Sequence, residues 1–388
     1  MAVSDVVRIG IVAGEASGDQ LGAALIEALR AAAPGVECFG VAGPKMRAAG
    51  CEVWAPSDTL SIMGLAEVLK HLPSLLRFRR GLVERFRARR PDVFVGIDAP
   101  EFNLGLEARL KRSGIRTVQY VSPQVWAWRQ GRVKTIAEAC DRVLCLLPFE
   151  KQFYARNQVA ADFIGHPLAD RIPLQPDRQG AREALGVPQD AKLIALLPGS
   201  RIGEVERLGA DFCRAAVLIR NARPGTRFIT PMASRGARAA FERILATMPL
   251  EIQIVDGDSH RVLAACDAAI VASGTATLET MLHKRPMVVA YRMNGLTAFV
   301  LQHLKVVKVQ HFAQPNLLIG RRAVPELFQG AVTPRALCAA TLHWLDHPEE
   351  VARLETEFLR VHESLRQGGA ARAAQIILEL AGAKAVPA

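Results

Sequence analysis

The chain has 388 residues, of which 50% are hydrophobic and 22% charged, and it carries a formal net charge of +11. These values exclude a small disulfide scaffold, a disordered chain and a solenoid of short repeats, and at roughly 100–200 residues per domain they suggest two domains. A basic surface suits nucleic acid, anionic lipid or phosphorylated substrates, and a high-GC genome that favours Arg over Lys accounts for it equally well. The clusters Arg77-Phe78-Arg79-Arg80 and Arg87-Ala88-Arg89-Arg90 lack interleaved stacking aromatics, which argues against nucleic acid.

Seven cysteines, an odd number, fit neither a zinc site nor a C-x-x-C pair, so reduced and mostly buried thiols in a reducing compartment are expected. Residues 1–7 lack a basic stretch followed by an apolar one, and no run of about 18 apolar residues occurs. Neither a signal peptide nor a membrane span is expected.

In chain order, short apolar runs at 6–12, 93–97, 117–121, 143–147, 193–197, 228–230, 252–255, 268–271 and 287–291 read as buried strands. Helix-length segments such as 20–33, 104–113 and 205–221 lie between them. This alternation predicts parallel sheets covered on both faces. The rhythm pauses at Ile164-Gly165-His166-Pro167-Leu168 and resumes near Lys192. The expected architecture is therefore α/β, with two doubly wound sheets facing a cleft: residues 1–168, residues 169–347, and a helical tail at 348–388. The tail returns to the first domain or packs on a neighbouring chain.

Open α/β sheets bind ligands beyond the carboxyl ends of their strands. After the first strand comes Ala13-Gly14-Glu15-Ala16-Ser17-Gly18-Asp19. Its glycines allow a tight turn, but the spacing is not a dinucleotide fingerprint. Ser17 or Asp19 either caps the next helix or meets a ligand, whereas Glu15 is not needed for capping and has the better claim to ligand contact. Asp98, at the end of a strongly apolar strand, is a candidate general base; the alternatives are a helix cap or a buried anchor. Gln124, Trp126 and Trp128 in one loop suit a sugar or a packed loop.

Gly199, Ser200 and Arg201 follow another strand, where a helix start and a guanidinium suit a phosphate. Ser273, Gly274, Thr275, Ala276 and Thr277 open a helix whose free N–H groups suit a diphosphate, with Glu279 one turn on, placed for ribose hydroxyls. Asn316, beside Pro315, is a plausible cleft residue.

Ile62, Leu65, Leu69, Leu72 and Leu76 keep helical spacing, and Met63, Val68 and Leu75 widen that face; Pro73 is expected to start a second helix. The stretch reads either as a core helix or as an interfacial helix flanked by Lys70, Arg77, Arg79 and Arg80.

Taken together, Gly14–Asp19, Asp98–Asn103, Ser122–Trp128, Gly165–Pro167, Leu197–Arg201, Ser273–Glu279 and Gln314–Asn316 resemble the lipid-A-disaccharide synthase family in type and order. The resemblance implies a GT-B fold and an inverting transfer with no metal and no cofactor. It implies UDP-2,3-diacylglucosamine as donor, 2,3-diacylglucosamine 1-phosphate as acceptor, and a β-1,6-linked disaccharide 1-phosphate and UDP as products. In that reading Asp98 is the base, with Glu15 second. Arg201 and the N–H groups near 273–277 stabilise UDP, Glu279 holds the ribose and Asn316 positions the donor. Ser17, Gln124 and Trp126 face the acceptor or sugar. The protein would be cytoplasmic, held at the inner-membrane surface through the face at 62–76, with no nucleic-acid partner, and a homodimer is plausible. The alternatives are another UDP-sugar transferase or epimerase of this fold, and a non-catalytic nucleotide-sugar-binding protein.

Overall fold

The computed structural model describes residues 6–60, 65–126, 130–293 and 311–382, the side chains of 65–72 excepted. Their contacts form two units, Met1–Asp170 with Leu365–Ala388, and Arg171–Ser364.

The first unit holds a seven-stranded parallel sheet of β1 (Arg8–Ala13), β2 (Glu37–Ala42), β3 (Glu52–Pro56), β4 (Val93–Ile97), β5 (Arg116–Tyr120), β6 (Arg142–Cys145) and β7 (Ala161–Phe163), in the order β3-β2-β1-β4-β5-β6-β7. The central strands are apolar throughout because both faces are covered. Ile9, Ile11 and Ala13 of β1 pack on one face with Val93, Val95 and Ile97 of β4, whereas Val12 and Phe94 face the other way. The second unit holds β8 (Leu193–Leu197), β9 (Arg227–Met232), β10 (Gln253–Asp256), β11 (Ala268–Ala272), β12 (Met287–Tyr291) and β13 (Glu326–Phe328), in the order β10-β9-β8-β11-β12-β13. Both are doubly wound α/β sheets, as the alternation predicts.

The structure adds four strands to the apolar runs. β7 and β13 are three-residue, half-buried edge strands, and β3 is a partly exposed edge. β2 is buried but interrupted by Gly40, where a side chain would collide with the carbonyl of Ile11.

Two local expectations are corrected. Pro73 does not begin a second helix: Leu65–Arg89 is one helix with the proline inside it. Pro73 withholds one N–H, and the helix on either side is long enough to carry that loss. The helix after β1 begins at Glu15, not 20, so Ser17 and Asp19 lie within its first turns and neither caps it. Asp19 instead accepts hydrogen bonds from Lys45 N and Met46 N, both at 2.9 Å, at the start of the Pro44–Ala48 helix.

The chain leaves the first unit after Asp170 and re-enters it at Leu365. The Gly165-His166-Pro167 motif fastens the two passages together. His166 N donates to Leu365 O at 2.9 Å, and the Asp170 carboxylate accepts from Gly368 N at 2.9 Å and Gly369 N at 2.8 Å. The Gly369–Leu380 helix then places Ala373, Ala374, Ile377 and Leu378 in the cluster that holds Leu25, Ile26 and Leu29. All seven cysteines are free and buried.

Because Asp170 caps that returning helix, Asp170→Ala should cost about 1–2 kcal/mol in a urea titration. It should also raise amide exchange across 369–380, with Asp170→Asn intermediate, because its single amide oxygen can accept from only one of the two N–H groups.

Candidate active site

In the first sheet the strand order reverses between β1 and β4, and in the second between β8 and β11. Ligands of open α/β sheets sit at such reversals, and most of the site residues read from the sequence lie there.

In the first unit, four non-glycine residues with positive φ follow three adjacent strands: Glu15 (59°) after β1, Asp98 (52°) and Ala99 (42°) after β4, and Val121 (78°) after β5. Each costs about 1–3 kcal/mol, and such strain concentrates at functional sites. The turns touch, since a Cβ on Gly14 would come within 3.1 Å of Ala99 Cβ. Buried amides hold the Asp98 turn. Asn103 Nδ2 donates to Asp98 O at 2.9 Å, and to Val12 O and Ile97 O at 3.4 Å. Gln119 Nε2 donates to Asp98 O at 3.2 Å and Val121 O at 3.2 Å. Asp98 N donates to Tyr120 O at 2.9 Å.

The Asp98 carboxyl is half-buried. Burial raises its pKa above the usual carboxylate value, and the Ala99 N–H partly offsets that rise. It is not the helix cap, because the N-cap of Pro100–Lys111 is Ala99, without a side-chain cap. Glu15 and Ser17 are exposed at the neighbouring strand end, and Gln124 is exposed after β5. Trp126 is packed instead: its Nε1 donates to Glu150 Oε1 at 3.1 Å, and its ring meets Phe149 edge-on at 4.7 Å. Glu150 also accepts from Leu147 N at 3.0 Å, and burial pushes its pKa up to about 7.

In the second unit, Gly199, with φ of 134°, lets Glu204 fold back over the turn after β8. The Glu204 carboxylate accepts from Ser200 N at 2.9 Å and Arg201 N at 3.3 Å. The two N–H groups expected to meet a phosphate are therefore taken, because a glutamate three residues into a helix closes a capping box. What this turn presents to an anion is the exposed Arg201 side chain. The helix Thr275–Leu282 is different. Its N-cap, Gly274, provides no side-chain cap, and Gly274 and Thr275 are exposed with Ser273 and Ala276 half-buried. Thr277 is buried, and its hydroxyl donates back to Gly274 O at 2.8 Å. Glu279 accepts from Ser259 Oγ at 3.0 Å.

Asn316 is fully buried. Its Nδ2 donates to Val324 O at 2.9 Å and Glu326 Oε1 at 2.6 Å, and its Oδ1 accepts from Ala323 N and Val324 N at 2.8 and 2.9 Å. These bonds make it the anchor of the turn before β13. Of the membrane face, Ile62 and Met63 lie outside the described residues, as do the side chains of Leu65, Val68, Leu69 and Leu72. Leu75 is half-buried and Leu76 is exposed. Among the described residues no helix is long and apolar enough to cross a membrane.

Sequence reasoning missed Asn103, Gln119 and Glu204 as organisers of the two turns. The Arg201-x-x-Glu204 spacing is a readable capping signal; the two amides, on β5 and on the buried face of the Pro100–Lys111 helix, carry no such mark.

Solved structures with this fold include the glycosyltransferase of kitacinnamycin, with a TM-score of 0.62 and 19% identity over 97% of this chain and 99% of that one. Another is UDP-GlcNAc 2-epimerase from Neisseria meningitidis bound to UDP-GlcNAc, with a TM-score of 0.65 and 10% identity over 96% and 99%. The protein thus has the GT-B fold of glycosyltransferases, which an epimerase shares. Residues 9–380 match the lipid-A-disaccharide synthetase family, and the chain belongs to it. Lipid-A-disaccharide synthase of Pseudomonas aeruginosa (strain UCBPP-PA14) is 51% identical over 97% of this chain and 99% of that protein, and that of Yersinia pseudotuberculosis serotype I is 50% identical over 97% and 95%.

A Cβ on Gly274 would meet nothing within 4 Å, yet its φ of 152° disfavours any L side chain. Gly274→Ala should therefore lower the unfolding free energy by about 1–2 kcal/mol through strain alone, read as a shift in the urea midpoint.

Proposed function

We propose that this protein is the glycosyltransferase that forms the lipid A disaccharide, joining UDP-2,3-diacylglucosamine to 2,3-diacylglucosamine 1-phosphate with inversion and release of UDP. Membership of the family over residues 9–380 carries the reading. It separates this chain from the epimerases that share its fold.

Asp98 takes the proton from the acceptor hydroxyl as that oxygen bonds to the anomeric carbon of the donor and the bond to the UDP oxygen breaks. Its clamped turn supports this role, because a fixed main chain limits where the carboxylate points. Partial burial raises its proton affinity toward that of a useful base. Glu15 is the second candidate. The departing UDP gathers charge, which the Arg201 guanidinium and the uncapped N–H groups at the start of Thr275–Leu282 stabilise without reorganising. Glu279 holds the ribose, with one oxygen already oriented by Ser259. Ser17 and Gln124 lie on the acceptor side. Asn316 acts on the donor indirectly, by holding its own segment in shape.

Both substrates carry acyl chains and phosphate. The exposed Leu76 beside Arg77 and Arg80 suits a peripheral association with the cytoplasmic face of the inner membrane. A homodimer completes the reading; nucleic acid has no part in it.

The test is acceptor-dependent release of UDP in detergent. Asp98→Ala should lower kcat by about 10²–10⁴-fold, and Arg201→Ala by about 10²–10³-fold. Release that survives Asp98→Ala would remove it as base, and no release from the folded wild type would sink the activity. A base acts only when deprotonated, so kcat/KM should fall as pH drops through the raised Asp98 pKa. The midpoint of that limb should lie above the ordinary 3.8. For the surface, Leu69→Ser with Leu72→Ser should abolish co-sedimentation with anionic vesicles and leave UDP binding unchanged.

A further inference from the structure

Beneath the Asp98 turn lies a buried polar cluster that the reaction does not use. Asn103 and Glu107 are one turn apart on the Pro100–Lys111 helix, and both are fully buried, as is Gln119 on β5. Gly96 of β4, which pairs in register with Gln119, makes room for them. A Cβ there would collide with Glu107 Oε1 and come within 2.9 Å of Asn103 Cβ and 3.0 Å of its Cγ. Glu107 Oε1 and the Asn103 amide thus meet over the same glycine.

The hydrogen-bond inventory is unbalanced. Both amide nitrogens are committed to main-chain carbonyls at the strand ends, which fixes the amide orientations. Their oxygens, Asn103 Oδ1 and Gln119 Oε1, are buried and have no partner, and Glu107 Oε1 has none either. Glu107 Oε2 accepts from Cys140 Sγ at 3.1 Å. Three buried acceptors without a donor are costly, and a buried carboxylate whose hydrogen-bond partner is a thiol is costlier still. One proton on Glu107 Oε1 removes the charge and two of the three orphans, because the acid becomes neutral and donates to one of the two amide oxygens. Asn103, which packs over the same glycine one helical turn away, offers the nearer choice of acceptor in its Oδ1.

We infer that Glu107 is a positioning residue held as the neutral acid, whose O–H donates to Asn103 Oδ1 and so locks the amide that clamps Asp98 in its left-handed turn. Burial acts in the same direction, raising the Glu107 pKa to about 8 against the pull of the Cys140 hydrogen bond, while the Cys140 thiol is raised well above its ordinary value and stays a donor. The positioning role rests on Asp98 being the base; the site of the proton does not.

The experiment uses the full-length protein with Glu107→Gln and Glu107→Leu. A difference infrared spectrum of wild type minus Glu107→Gln at neutral pH should show a protonated carboxyl stretch; a carboxylate pair in its place would overturn the inference. In the UDP-release assay Glu107→Gln, whose amide N–H replaces the O–H, should stay close to wild type. Glu107→Leu, which fills the space without a donor, should lower kcat about 10- to 10²-fold with KM little changed, as expected for a misplaced group. A Gln variant as slow as Leu, or a Leu variant as fast as wild type, would also overturn it. If Glu107→Leu does not fold, the infrared band and the Gln rate still decide. Asp98→Ala measured alongside separates the two readings. A fast Asp98→Ala removes the base and the positioning role with it. A slow Asp98→Ala with a fast Glu107→Leu removes only the role of Glu107.

Discussion

Two side-chain amides converge on one carbonyl oxygen, that of Asp98, and the shape of the turn after β4 depends on it. The turn after β4 carries two successive residues with positive φ, Asp98 and Ala99, a conformation that Asp tolerates and Ala disfavours. Asn103 from the following helix and Gln119 from the neighbouring strand oppose that strain by satisfying carbonyls that the turn would otherwise orphan. The sheet supplies rigidity, the reversal of strand order supplies the gap, and the amides fix the direction in which the acid leaves the sheet. Loss of any of these leaves an acidic residue at a strand end, but not one with a defined heading.

The second unit solves a different problem, how to present positive potential at its strand ends. It does so in two ways at adjacent strand ends. The start of Thr275–Leu282 is left uncapped, so its main-chain dipoles face outward. The turn after β8 is internally satisfied by Glu204, which leaves Arg201 as a single charged arm. The first is preorganised and small; the second is long and adjustable. The difference follows from one position: a glutamate sits three residues after Arg201, and nothing equivalent follows Gly274.

What the sequence discloses tracks local chemistry. Strands buried on both faces, such as β4 and β8, stand out as apolar runs, and the abrupt change to Asp98 after one and to Pro198-Gly199 after the other marks their ends. Short edge strands do not: β7 and β13 have three half-buried residues each, too few to establish a period. Roles that depend on distant partners are equally hidden. Asp19 looks like the cap of its own helix but serves Lys45 and Met46, and Asn316 looks like a ligand contact but spends its amide on Val324, Ala323 and Glu326. Pro73 looks like a boundary and lies inside a helix, because propensity is a local vote that packing outweighs. Family resemblance reached the reaction, whereas the function of individual side chains needed coordinates.

The return of the last helix to the first unit bears on how the chain is made. Ala373, Ala374, Ile377 and Leu378 complete a core whose other side chains are synthesised before residue 170. Domains commonly fold in order as they leave the ribosome, but here the N-terminal unit must wait. The residues from Arg171 to Ser364 are available to fold while β1 and the helix behind it still expose an apolar surface. A nascent chain that stops short of residue 369 therefore lacks the side chains that close the first unit's core, which makes the returning helix a checkpoint for the completeness of that unit.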